Sequence, residues 1–154
     1  MRIEVKFDGL RDIEKALAKL PAGTAKGVAR RAMKKELAPV ASYANALWPG
    51  ADDDVFTITS RIARSQMGDS LQGRGRSFTN LFVGASRRAP QAHLLEFGTG
   101  PRFQRGGRYT GFVLPSPMLQ PAWDFASPTM LEGLGKRLWE EIEKTMARRA
   151  KRGD

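Results

Sequence analysis

The chain has 154 residues, a formal net charge of +10 and no cysteine. That length predicts one domain with a buried core of its own, and the missing cysteines exclude disulfides and thiolate metal sites. The charge favours an acidic partner, whether nucleic acid, an anionic membrane or an acidic protein surface, and does not choose among them.

Met1-Arg2-Ile3-Glu4-Val5-Lys6-Phe7 alternates apolar and polar residues, which predicts a half-buried strand and not a signal peptide. No apolar run approaches the roughly 20 residues of a membrane helix, so a soluble intracellular product with no membrane partner is expected. Asp8-Gly9 ends the strand, and Asp8 is placed to cap a short helix with Leu10, Ile13, Leu17 and Leu20 at helical spacing, stopped at Pro21. A longer helix follows Ala22-Gly23-Thr24, with Thr24 as the expected cap. Val28, Ala32, Met33, Leu37, Val40, Ala41, Ala44 and Leu47 are among its apolar positions, and its polar face carries Lys26, Arg30, Arg31, Lys34 and Lys35. Pro39 removes a donor and predicts a kink, and Trp48-Pro49-Gly50 ends the element. Its many alanines predict close packing against a sheet or a neighbouring subunit.

Periodicity fails from Ala51 to Ser77. Asp52-Asp53-Asp54 lacks the looped ligand spacing of a calcium site and reads as a solvated acidic turn. Val55 to Ile58 is a short expected strand. Gly68 to Ser77, with Gly73-Arg74-Gly75-Arg76, has no phosphate-loop lysine and reads as a flexible loop. Phe78 to Gly84 is a second expected strand. Residues 61 to 108 hold nine arginines, no lysine, and only Asp69 and Glu96 as acids. Arginine pairs bidentately with carboxylate and phosphate, so this run reads as a contact surface.

Ala92-His93-Leu94-Leu95-Glu96-Phe97 is apolar and reads as a strand, broken at Gly98-Thr99-Gly100-Pro101. A long exposed loop, Arg102 to Gly111, then leads to an apolar return over Phe112 to Asp124. The last helix is expected from Ser127-Pro128, a cap followed by proline. Its stripe is Leu131, Leu134, Leu138, Ile142 and Met146, and it ends in a basic, frayed tail over about residues 147–154. The order predicts one α+β domain, an antiparallel sheet packed against a long N-terminal helix and a C-terminal helix, with long flexible loops.

No catalytic constellation is legible, and no cofactor or metal is expected. His93 is the one histidine and reads as a packed or interface residue; Glu96 has no partner nucleophile or second carboxylate at a readable spacing. Glu96 or Thr99 is instead expected to bond backbone or arginine and fix the loop exit. Trp48, Trp123 and Trp139 read as core or interface anchors.

His93-Leu94-Leu95-Glu96-Phe97-Gly98-Thr99-Gly100 resembles the "hxxEFGT" signature of the tail-completion or head–tail joining proteins of lambda-like siphophages. Pro115-Ser116-Pro117-Met118-Leu119-Gln120-Pro121-Ala122-Trp123 is similar to that family's "PFLRPA" segment, with Met118 in place of the usual aromatic and Gln120 in place of arginine. Thr59 to Ser65 resembles its "TGRLRRSI" segment, and Val83-Gly84 a "VG" pair. The resemblance implies a non-catalytic virion protein at the head–tail connection, made in the host cytoplasm. It implies a ring of copies, hexameric or dodecameric, beside connector or stopper and tail-tube or terminator proteins, with DNA in the channel a further candidate partner. Its contact residues are then Arg74, Arg76, Arg87, Arg88, Arg102, Arg105 and Arg108, with Glu96, Phe97, Gly98, Thr99 and Trp123 at the motif. Loops 66–77 and 100–111 are expected to be mobile until neighbours order them. A tail-terminator ring and a basic nucleic-acid-binding module are the alternatives; a small hydrolase has the least support.

Overall fold

The computed structural model describes residues 8–52, 54–61 and 79–153. The expected strand over 3–7, the loop 66–77, Arg74 and Arg76 lie outside them, as does most of the segment 59–65. In chain order the elements are α1 (Asp8–Ala18), α2 (Ala22–Ala46), β1 (Phe56–Thr59), β2 (Phe82–Ala85), α3 (Ala92–Phe97), β3 (Thr99–Phe103), β4 (Tyr109–Val113) and α4 (Leu119–Arg152). This is an α+β fold, with its β-structure divided into two two-stranded antiparallel sheets, β1–β2 and β3–β4. The chain divides into two compact units. One is Met1–Glu36, Ser60–Leu81 and Thr129–Asp154; the other is Leu37–Thr59 and Phe82–Pro128.

In the first unit Ile13 of α1, Val28 of α2 and Ile142 of α4 are buried together, with Ala16, Leu17, Leu20 and Leu138 packed around them. These are the apolar stripes expected from helical spacing. Helix α2 begins at Ala22, earlier than a Thr24 cap would allow, because the Pro21 carbonyl accepts the Ala25 N–H at 2.9 Å. It runs on through Pro39 as one continuous helix.

The buried apolar residues of the second unit are Leu37, Val40, Ala41, Ala44, Val55, Phe56, Ala89, Ala92, Met118 and Ala122. Asn45, in the last turn of α2, holds β1 as a neighbouring strand would. Its Nδ2 donates to the Phe56 carbonyl at 2.9 Å and its Oδ1 accepts the Phe56 N–H at 2.7 Å. Trp48 meets Phe56 edge-on, centroids 6.2 Å apart. Strand β1 pairs with β2 in the register Phe56↔Ala85 to Thr59↔Phe82.

Three expected elements are replaced. Residues 92–97 form a helix where a strand is expected, and the expected loop 100–111 is a β-hairpin. The last helix starts at Leu119, eight residues before Ser127, and stays helical to Arg152 through the segment expected to fray. The hairpin turn is Arg105-Gly106-Gly107, closed by Gln104 N–H to Arg108 carbonyl and Gly107 N–H to Gln104 carbonyl, both 2.8 Å. Gly107 sits at φ 79°, the left-handed residue that a three-residue hairpin loop requires. Gly100 and Pro101 argue against a central strand, yet among the described residues β3 has one strand neighbour, and its irregular register accommodates them.

Candidate functional site

Helix α3 shows why its segment is not a strand. A short apolar run fits either conformation, and here burial recurs four residues apart. Ala92 and Glu96 are buried while His93 and Phe97, also four apart, are exposed. His93 is thus on the surface of a helix and not packed in a strand, so of the two expected readings, packed or interface, the packed one is corrected. In a strand Glu96 would bring a carboxylate into an apolar environment; in the helix it faces donors that need an acceptor.

Those donors are the first backbone N–H groups of α4. Glu96 Oε2 accepts the Met118 N–H at 2.7 Å, both carboxylate oxygens accept Leu119 N–H at 3.1 Å, and Oε1 accepts Gln120 N–H at 3.1 Å. A helix start leaves such groups without intrahelical partners, and an anion there is favoured by the helix dipole. The next residue, Pro121, has no N–H to satisfy, which is why proline is tolerated in the first turn. One side chain from 22 residues upstream therefore caps α4, and Ser127-Pro128 falls inside the helix.

The rest of the segment is held alongside. Ser116 N–H donates to the Leu95 carbonyl at 2.7 Å, and Val113 N–H donates to Thr99 Oγ1 at 3.0 Å. Between these bonds Gly98 stands at φ 70° with Pro115 against it; an added Cβ would lie 2.8 Å from Pro115 Cδ. Glycine is required there twice over, by its backbone angle and by the close approach. Met118 and Ala122 complete the joint as fully buried residues. Glu96 and Thr99 both bond backbone, and neither bonds an arginine among the described residues.

The second unit exposes large apolar side chains. Phe97 is 79% exposed, Leu114 72% and Phe125 73%, and Phe103, Tyr109, Phe112 and Trp123 are exposed as well. Phe103 and Tyr109 pair across the hairpin with centroids 5.4 Å apart, and Tyr43 stacks on Phe125 at 5.5 Å. Aromatic residues are what interfaces concentrate, because each covers much area at low entropic cost. The hairpin adds exposed Arg102, Arg105 and Arg108, while exposed Arg87 and Arg88 lie in the turn after β2. Trp123, read as an anchor, is at the surface.

A second polar cluster lies in the first unit. Glu141 is buried on α4 and bonds Arg31 Nε at 2.7 Å and Lys35 Nζ at 2.6 Å, both from α2; Arg31 Nη2 also reaches Thr145 Oγ1 at 3.1 Å. Hydrogen bonds from Arg31 and then Lys35 hold the Glu141 carboxyl down at about 2, against the opposing pull of burial. One turn away Arg137 Nε meets Glu36 Oε2 at 2.6 Å. Sequence reading places Arg31 and Lys35 on a solvated face and overlooks Glu141. The only available signal is its place beside Ile142 and Leu138 on the apolar side of α4.

Among the described residues no group of three or more His, Asp or Glu side chains is placed to hold a metal ion. Among the same residues no helix is long and apolar enough to cross a membrane. Comparison with protein-family models, curated proteins and solved structures finds no match in any of the three.

Proposed function

We propose that this chain is a structural, non-catalytic virion protein at the head–tail connection of a tailed bacteriophage, completing the tail and joining it to the head. The observation that carries the reading is the Glu96 joint. The two segments that resemble the family's signatures, 93–100 and 115–123, are one physical object. Glu96 caps the helix that the second segment opens, and Gly98 and Thr99 seat the backbone between them. Glu96, Gly98, Thr99, Met118 and Ala122 each thereby have a packing or hydrogen-bonding reason, which supports reading the two strings together.

The surface beside the joint supports an assembly role. Phe97, Leu114, Trp123 and Phe125 flank it in sequence and are all exposed in the isolated chain. Exposed large apolar groups of this number are covered in a working assembly. In this reading the protein acts by being held between copies of itself and its virion neighbours, with the hairpin arginines facing acidic surfaces of connector or tail proteins. Closed rings require head-to-tail contacts that close on themselves. The experiment is co-purification with the adjacent connector and tail proteins, followed by cross-linking and electron microscopy. A ring or a defined complex is expected, and replacing Phe97, Leu114 and Phe125 with serine disperses it while leaving the fold intact. No complex under any condition, or assembly unchanged by the triple replacement, refutes the reading.

A further inference from the structure

Positive charge in the first unit is concentrated in two acid-free stretches. From Ala22 to Lys35, α2 carries Lys26, Arg30, Arg31, Lys34 and Lys35; from Lys144 to Gly153 the chain carries Lys144, Arg148, Arg149, Lys151 and Arg152. The pairs Arg31–Thr145, Lys35–Glu141 and Glu36–Arg137 advance along α2 as they retreat along α4, so the two helices are antiparallel here. A further turn back along α2 and a further turn on along α4 therefore lead to the same end of the pair. Lys26, Arg30 and Lys34 recur every four residues and form one stripe on α2; Arg148, Lys151 and Arg152 form one on α4. Arg30, Lys34, Arg148, Lys151 and Arg152 are exposed. Among the described residues none of the six forms an ion pair. Even between the stripes a single carboxylate, Glu141, serves two cations.

We propose that this end of the α2–α4 pair is a nucleic-acid-binding surface that grips phosphates without reading sequence. Three observations favour it. Cations in the last turn of α4 suit the helix dipole, but that effect fades within a turn and gives no reason for Lys26 and Arg30, the fifth and ninth residues of α2. No acidic residue lies between Ala22 and Lys35 to balance them. The stripe on α2 is a row of three cations about 6 Å apart along the helix, which suits a repeating anion such as a phosphate backbone better than a single carboxylate. A helix that lies on a bilayer sets large apolar groups beside its cations. On α4 the exposed Trp139 and Met146 stand nine and two positions from Arg148, which places them half a turn around the helix from it. The surface belongs to the first unit and the hairpin arginines to the second, and the proposal does not depend on the head–tail reading.

The test is fluorescence anisotropy with a labelled duplex of mixed sequence, about 20 base pairs long, titrated at rising salt. The variants are Lys26→Gln/Arg30→Gln/Lys34→Gln and Arg148→Gln/Lys151→Gln/Arg152→Gln, with Arg102→Gln/Arg105→Gln/Arg108→Gln as control. Each helix triple lowers affinity at least ~10-fold near 0.1 M salt and flattens the log–log salt slope by about 2 to 3, while the control shifts affinity less than ~3-fold. The milder pair Arg30→Gln/Arg148→Gln, checked for native helicity, loses at least ~3-fold and serves if a triple fails to fold. Poly-glutamate peptide and phosphatidylserine vesicles are run alongside. The proposal is overturned if the duplex does not bind, if the hairpin control removes binding and the helix variants do not, or if either competitor binds more tightly through the same residues. Ring assembly, read separately by electron microscopy, is unaffected by the helix triples.

Discussion

Replacing Glu96 with alanine removes the acceptor for three backbone N–H groups at once. Each bond from an N–H to a charged acceptor contributes on the order of 1.5–3 kcal/mol, but the three share one carboxylate and do not add fully. The Met118 amide lies against a fully buried side chain, with little access to replacement water. A loss of about 3 kcal/mol follows, which lowers the melting temperature by roughly 6–12 °C in a chain of this size. Glu96→Gln keeps one acceptor oxygen without the charge and loses about half as much. Urea unfolding measures the total, and amide hydrogen exchange at Met118, Leu119 and Gln120 locates it. These three amides exchange faster in Glu96→Ala, while Ala122, whose N–H bonds the Met118 carbonyl at 3.3 Å, follows them as the first turn loosens. A stability change under about 0.5 kcal/mol, or unaltered exchange at the three amides, refutes the capping argument.

Gly98→Ala forces a side chain into the left-handed region and against Pro115, and is expected to cost about 2 kcal/mol. Gly100→Ala meets nothing within 4 Å and stays within about 0.5 kcal/mol in the same denaturation assay. The Glu141 carboxyl is depressed to about 2 in the folded protein from an ordinary 4.5, so its contribution is complete above pH 5 and drains away as pH falls toward 2. Arg31 and Lys35 are nearly half exposed, which limits that contribution to about 1–2 kcal/mol; Glu141→Gln flattens the acid limb of stability against pH between 5 and 2. Asn45→Ala unties the Phe56 amide and carbonyl from α2 and costs about 2 kcal/mol, with faster exchange at the Phe56 amide as the local reading.

Helical periodicity is a local property, and it located α1, α2 and the apolar stripe of α4 from the order of residues alone. The same holds for strands β1 and β2 to within a few residues, and for the α+β class. Where local signals compete, distant partners decided. The segment 92–97 has no periodicity long enough to separate helix from strand; the unsatisfied N–H groups of Met118, Leu119 and Gln120 supply the reason it is a helix with Glu96 inward. Ser127-Pro128 is a sound helix start by local chemistry, yet Glu96 caps the helix eight residues earlier and Pro128 falls within it. Arg102 to Gly111 looks like a loop because its glycines weaken any strand, until pairing across the Gly107 turn satisfies the backbone. Arg31, Lys35 and Glu141 each read as solvated charges, since only the antiparallel meeting of α2 and α4 brings them within bonding distance. A sequence specifies what neighbouring residues prefer; it takes the folded backbone to decide which of those preferences a residue a hundred positions away will satisfy.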